Sequence, residues 1–431
     1  MHMTRNLPAT TRRTTLGLAL GALAAPHVAR AQGKARLVIL GGGFGGAAAA
    51  RFARDNTPEL DVTLIERSER FTTCPYGNLV LAGRRTVEQI TFGYDGLRRK
   101  GVTVVHDSAS AIDASGKTVR LRGGSAVPFD RLIVSPGIDL RWGALEGYTA
   151  EASERMPHGW APYLQPITLL RRQLEAMADG GVFIIVCPDN PFRCPPGPYE
   201  RIGMVAEYLK REKPKSKILA LDAKDGFSKQ PLFLDAWKEL YGPMIEWVGA
   251  SQDGRVTKVD PAAMTVTTEF GTEHRGDVIN VIPPQYASAI AREGGLAAPS
   301  GWCPVKASDG FESALVPGIH VVGDAAVMAP MPKSAFAAST QAKAAVATIA
   351  ARLGNKTVPQ SVYFNTCYSH VGTDYGISIV GVYRPDGDKV VEVPNSGGIS
   401  PRGDLPEQRR LEAQYADAWY KAITDEVFAL S

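Results

Sequence analysis

Short apolar runs recur along the chain, and most of them end in a turn signal. Leu37 to Leu40, Leu60 to Ile65, Leu132 to Val134, Val182 to Val186, Lys217 to Asp222, Val278 to Ile282 and Ile319 to Val322 are rich in Val, Ile and Leu. Such runs suit buried parallel strands, which read as nearly continuous apolar stretches. Thr103 to Asp107 and Thr118 to Leu121 read as shorter strands. Helical patterns lie between them: the alanine-rich segment after Gly46, Ile167 to Ala178 stopped by Asp179-Gly180-Gly181, Met204 to Glu212, and Ser334 to Leu353. Strands alternating with helices predict an α/β chain. The final stretch differs, with short strands and turns followed by a helix. Leu411, Tyr415, Trp419 and Ile423 share one face of that helix, which is expected to pack on the body of the protein.

The first strand runs into Gly41-Gly42-Gly43-Phe44-Gly45-Gly46, a G-x-G-x-x-G turn that opens a helix. In such a turn Gly41 permits the sharp bend, Gly43 lets a pyrophosphate approach the backbone, and Gly46 lets helix and strand pack closely. The second strand ends in Glu66, where a carboxylate grips an adenosine ribose. Together these predict a dinucleotide site. Ser135-Pro136-Gly137 closes a later strand in a tight turn, as where flavoprotein chains leave the nucleotide domain. Gly323-Asp324 ends another strand, placing a carboxylate to accept hydrogen bonds from the ribityl hydroxyls of a flavin. The helix from Ser334 directs its N-terminal dipole at that site, and Lys333 adds charge there unless it is a surface lysine.

The apolar strand at Val182 to Val186 should lead to a second glycine fingerprint in a flavin reductase that uses NAD(P)H. Instead it leads to Cys187-Pro188-Asp189-Asn190-Pro191-Phe192-Arg193-Cys194-Pro195-Pro196-Gly197-Pro198. Proline offers no N–H, and its ring blocks close approach of phosphate. A Rossmann-like outline without a nicotinamide site is expected.

The chain has 431 residues, enough for two or three cores. Its formal charge of +4 arises from Arg5, Arg12, Arg13 and Arg30, in an N-terminal stretch without acids; the remainder is neutral, which argues against nucleic acid as a partner. Arg12-Arg13, an apolar run from Leu16 to Ala25 and Ala29-Arg30-Ala31 read as a twin-arginine export signal, hence a periplasmic protein, with a general secretory signal as the alternative. That run is too short to span a bilayer, which takes roughly 20 residues, and no later segment looks transmembrane.

Five cysteines are present: Cys74, Cys187, Cys194, Cys303 and Cys367. None has metal-ligand spacing, so no metal site is expected, and C-x-x-C-H is missing, so any c-type haem belongs to another chain. Cys74, Cys194 and Cys367 lie in segments expected near the flavin. For Cys194 and Cys367 the readings are a structural disulfide or a redox-active one that replaces nicotinamide as electron donor. Cys187 and Cys303 read as small buried hydrophobes or a second bridge.

Four stretches are more diagnostic than any glycine loop: Phe192 to Arg201, Asn280-Val281-Ile282-Pro283-Pro284-Gln285, Gly301-Trp302-Cys303-Pro304 and Asn365-Thr366-Cys367-Tyr368. On these the chain resembles the flavoprotein subunit of flavocytochrome c sulfide dehydrogenase, from Ala35 nearly to the C-terminus. The resemblance implies an α/β fold with two Rossmann-like domains of the flavin disulfide reductase type and a C-terminal α+β domain. Boundaries are expected at 1–31 (export signal), 32–150 and 277–355 (FAD-binding domain), 151–276 (second Rossmann-like domain) and 356–431 (C-terminal interface domain). It further implies FAD bound covalently through Cys74, a redox disulfide between Cys194 and Cys367, Glu200 as acid/base, sulfide as substrate and a c-type cytochrome subunit as partner. For Glu200 a surface carboxylate is the alternative. Pro75 beside Cys74 departs from the family pattern, and Cys187 is an addition to it. Competing functions are a sulfide:quinone oxidoreductase, an NAD(P)H-dependent disulfide reductase, and a non-catalytic flavoprotein that activates a sulfur-oxidising carrier.

Overall fold

The computed structural model describes residues 34–160 and 164–428. The expected export signal at 1–31 lies outside the described residues.

The largest sheet has eight strands. Its parallel part runs in the order Ile319–Val321, Arg131–Val134, Ala35–Leu40, Leu60–Ile65, Thr103–Val105. Ala35–Leu40 is central, which is why Leu37 to Leu40 carries no polar side chain: both faces are covered. The helices Phe44–Asn56 and Ala335–Leu353 pack on each other, and their alanines allow that close approach. The predicted helix from Ser334 to Leu353 is found, with Ser334 as N-cap accepting from Ala337 N at 3.0 Å.

A second, four-stranded parallel sheet is ordered Ile245–Val248, Lys217–Asp222, Val182–Cys187, Val278–Val281. Here one helix departs from the sequence reading. It spans Gly197–Glu212, seven residues earlier than the Met204 start expected. Pro198 sits in the first turn, where its missing N–H costs no intrahelical bond, so the proline-rich loop feeds a helix rather than preventing one.

The C-terminal region also departs. Instead of short strands it has two long antiparallel ones, Tyr363–Gly372 and Tyr375–Asp386, extended by Lys389–Glu392 and covered by the helix Pro406–Phe428. The buried stripe of that helix is Ala413, Ala416, Tyr420, Ile423 and Val427; Tyr415 is exposed and Leu411 half-buried. Alanines face the sheet because the two come very close: a Cβ on Gly376 would lie 2.3 Å from Ala413 N.

Candidate active site

Sheet ends and helix starts converge on one cavity of about 470 Å³. At its nucleotide end stands the glycine turn. Gly41 has φ +98°, and a Cβ there would lie 2.3 Å from Ser135 O; a Cβ on Gly46 would lie 1.7 Å from Gly41 O. Those two glycines are therefore required by the bend and by helix–strand packing, as the fingerprint predicts. Gly42, Gly43, Phe44 and Gly45 line the cavity, as do Ser135 and Gly137, while Gly46 stands behind the wall. Glu66 is half-buried and accepts from Gly42 N at 2.7 Å and Ser68 N at 3.0 Å. A carboxylate has about four acceptor positions, so it retains capacity for ribose hydroxyls.

Farther along, Asp324 lines the cavity and its Oδ1 is buried without a hydrogen-bond partner. Burial raises its pKa, and Arg193 and Lys333 oppose that shift. A buried orphan acceptor is costly unless a ligand satisfies it, and the ribityl hydroxyls of FAD are suitable donors. The glycine cradle, Glu66 and Asp324 thus fit FAD. Lys333 is buried, not a surface lysine. Its Nζ donates to Asp324 O at 2.7 Å and Ala326 O at 2.8 Å and lies 4.0 Å from the centroid of the Trp302 ring. Burial pulls its pKa down to about 8.

Cys74, Cys194 and Cys367 all line the same cavity and are half-buried. The expected bond between Cys194 and Cys367 is not formed in this structure: all five cysteines are free thiols, and the Cys74 and Cys194 thiols act most strongly on each other. That interaction lowers the pKa of Cys74 and raises that of Cys194. Cys194 sits in a left-handed conformation, φ 60°, fixed by its N–H to Lys333 O at 2.8 Å and by its carbonyl accepting from Gly197 N at 2.7 Å. Cys367 comes from the strand Tyr363–Gly372, where Asn365 Nδ2 lies 3.3 Å from its sulfur. Cys187 and Cys303 are buried on strands of different sheets, unbonded.

Glu200, in the first turn of the Gly197–Glu212 helix, also lines the cavity and is no surface carboxylate. It accepts from Asn78 Nδ2 at 2.7 Å and from His370 N at 2.9 Å. Burial pushes its pKa up against those two hydrogen bonds.

Sequence reading missed the polar layer behind these groups. Arg201 is almost fully buried and ties four segments together: Nε to Asn78 Oδ1 at 3.1 Å, Nη1 to His158 O at 2.8 Å and Asn280 Oδ1 at 2.9 Å, Nη2 to Gly159 O at 2.6 Å. Asn280 was the available signal, a polar residue inside an otherwise apolar buried strand. His370 and Lys229, both buried, were missed too. His370 Nδ1 has no partner, its Nε2 lies 3.3 Å from Tyr76 Oη, and burial pulls its pKa down to about 4.

The second Rossmann-like unit is closed where a coenzyme ribose would meet an acid. Asp222, at the end of Lys217–Asp222, is wholly buried and accepts from Tyr199 Oη at 2.7 Å, Trp247 Nε1 at 3.1 Å and Lys224 Nζ at 2.6 Å. The Tyr199 ring stacks on Phe227 with centroids 3.6 Å apart.

Sheet order and cavity define an α/β flavoprotein of the flavin disulfide reductase type. Solved structures agree on the fold: the sulfide:quinone oxidoreductase of Aquifex aeolicus superposes with a TM-score of 0.67 at 18% identity, covering 92% of this chain and 93% of that one. A covalent putidaredoxin reductase–putidaredoxin complex gives 0.61 at 17% identity, over 92% and 98%. Family models match along the chain: pyridine nucleotide-disulphide oxidoreductase over 35–156, the central part of the sulfide dehydrogenase [flavocytochrome c] flavoprotein chain over 167–283, and the flavocytochrome c sulphide dehydrogenase flavin-binding model over 359–428. The flavoprotein chain of Chlorobaculum thiosulfatiphilum is 48% identical over 48 residues, 11% of this chain and 100% of that sequence. The mitochondrial sulfide:quinone oxidoreductase of Dictyostelium discoideum is 22% identical over 271 residues, 62% of this chain and 59% of that protein's length. This chain belongs to the family of the flavocytochrome c sulfide dehydrogenase flavoprotein chain.

Proposed function

We propose that the protein oxidises sulfide at a Cys194–Cys367 disulfide and passes the electrons through FAD to a c-type cytochrome subunit. One observation carries this reading: Cys194, Cys367 and Glu200 open into the same cavity as the glycine cradle and the orphaned Asp324 carboxylate. The family supports it.

FAD supplies a two-electron acceptor that can return electrons singly. The chain's residues do the rest. Gly41 to Gly45 and Glu66 hold the adenosine diphosphate part, and Asp324 holds the ribityl chain. Hydrosulfide attack on the bridge forms one S–S bond and breaks another, leaving a hydropersulfide on one cysteine and a thiolate on the other. Glu200 takes one proton from hydrogen sulfide as it enters, giving the attacking hydrosulfide, a role suited by its raised pKa and its place on the cavity wall. The closure of Asp222 by Tyr199, Trp247 and Lys224 supports a reading in which nicotinamide has no seat and the thiolate freed when the bridge opens takes its place as electron donor. Covalent attachment through Cys74 and export by the twin-arginine route belong to the same reading: a tethered flavin survives outside the cytoplasm.

Anaerobic titration with sulfide, with and without a c-type cytochrome, tests this. Flavin bleaching by sulfide followed by cytochrome reduction is expected; no bleaching by sulfide overturns the reading. The curated quinone-reducing relatives favour a quinone acceptor as the second reading. Against membrane docking, the C-terminal helix exposes Asp417 and Lys421, and among the described residues no helix is long and apolar enough to cross a membrane. Reduction of a short-chain quinone in preference to cytochrome would move the assignment there. The mass of the denatured chain tests the Cys74 link: an unmodified mass rules it out.

A further inference from the structure

We propose that Lys229 is the charge partner of Cys367, a positioning residue that stabilises an anion on that sulfur when the Cys194–Cys367 bridge is open. The inference deepens the sulfide reading and uses its site, but its test does not depend on turnover.

Lys229 caps the N-terminus of the helix Gln230–Tyr241 and reaches under the strand that carries Cys367. Its Nζ donates to Cys367 O and to Ser369 Oγ, both at 2.8 Å, and lies 3.5 Å from Ile377 O. These acceptors satisfy its N–H groups but not its charge. Among the described residues none of these hydrogen-bond partners is a carboxylate; Glu200 and Glu412 act on the ammonium without bonding it, and the residue is 3% exposed. A buried cation without a directly bonded counter-ion is expensive. Lys229 also adopts φ 62°, a left-handed conformation that non-glycine residues rarely hold without a purpose.

The neighbours decide where the missing anion belongs. Facing Cys367 are Lys229 from one helix, Glu200 from another, Tyr383 from the paired strand, Asn365 on its own strand and Cys194 from the proline-rich loop; Glu412 of the C-terminal helix acts on Lys229. For the Cys367 thiol, burial raises the pKa while Lys229 and then Asn365 pull it down. For Cys194 every named neighbour, Cys74, Glu200 and Cys367, pushes the same way as burial, upward. Burial lowers Lys229 itself to about 8, an effect that a charge on Cys367 opposes first, one on Glu200 second and one on Cys194 only third. The two sulfurs are thus unequal, and the one on the residue whose carbonyl holds the ammonium is the one fitted to hold negative charge. Whichever cysteine hydrosulfide attacks, the anion that resides on Cys367, thiolate or hydropersulfide, has its counter-charge built in.

The test is alkylation of the dithiol-reduced, flavin-loaded full chain by iodoacetamide under anaerobic conditions across pH, with each cysteine followed by peptide mass. In the wild type, Cys367 should react with a lower pH midpoint than Cys194; the reverse order overturns the proposal without any variant. Lys229→Met should raise the Cys367 midpoint by about one pH unit or more, roughly tenfold less thiolate at neutral pH, and Lys229→Arg should restore it. An unmoved Cys367 midpoint in a Lys229→Met protein that retains its flavin spectrum also overturns it. Failure of the sulfide reading shows differently, as no bleaching by sulfide while the alkylation order holds.

Discussion

Asp324 offers a clear single-residue test of the flavin site, because its Oδ1 is buried with nothing to accept from. In a Cys74→Ser background, where the flavin must be held non-covalently, Asp324→Ala should weaken FAD binding about 10- to 100-fold, the worth of one or two charge-assisted hydrogen bonds. Fluorescence titration with FAD measures it, and unchanged affinity would remove Asp324 from the site. Glu200 makes a kinetic prediction. Its pKa is raised, so it keeps its proton above the ordinary 4.5, and the rate of flavin bleaching by sulfide should fall as pH drops through that raised value. In Glu200→Gln that acid limb should disappear and the rate should fall by about 10²- to 10⁴-fold with flavin content intact. A wild-type pH profile in the variant sinks the role. Residues such as Gly41, Glu66 and Asp324 are legible in the sequence because each acts through a local turn of fixed spacing. Asn78, Arg201, Lys229 and His370 are not, because their partners lie far away in the chain and only folding brings them together.

Elements differ in how openly the sequence announces them. Lys217–Asp222 and Ala335–Leu353 are readable to the residue: the first is bounded by lysines and a terminal acid, the second by a serine cap and a long alanine pattern. The Gly197–Glu212 helix hides its first two turns, since prolines that normally argue against a helix sit where a first turn tolerates them. For the C-terminal helix, side-chain size misleads. Large apolar residues suggest the buried face, yet proximity to the sheet selects the alanines. This makes Gly376 a structural test. Gly376→Ala would drive a methyl into the backbone at Glu412 and Ala413, at 2.6 and 2.3 Å, and should destabilise by roughly 3 kcal/mol in urea unfolding. A change below about 0.5 kcal/mol would mean the helix does not sit this close.

For the whole molecule, burial of basic groups makes stability rise with pH in two separate windows. His370 and His158 fall to about 4 and about 3 in the fold, with desolvation the main cause in each. A depressed histidine binds fewer protons folded than unfolded, so stability is full above the ordinary 6.5 and is lost as pH drops below it. His370 alone should contribute a drop on the order of 2 kcal/mol between pH 7 and pH 5. Urea midpoints of wild type and His370→Gln at the two pH values measure this; parallel losses in both proteins would show that the ring is not buried neutral. Lys229 and Lys333, lowered to about 8, act at the other end: their burial cost is relieved as pH rises from 8 toward 10.5.

Closure of the second Rossmann-like unit has a practical consequence for redesign. Grafting a glycine-rich turn after Val186 would not by itself make the enzyme run on pyridine nucleotides. Tyr199, in the helix after that loop, is stacked on Phe227, and the acid that would greet a ribose is already saturated by phenol, indole and ammonium donors. An engineer would have to evict two aromatic side chains and free Asp222 before any loop exchange had an effect, and the vacated volume would first cost the sheet its packing.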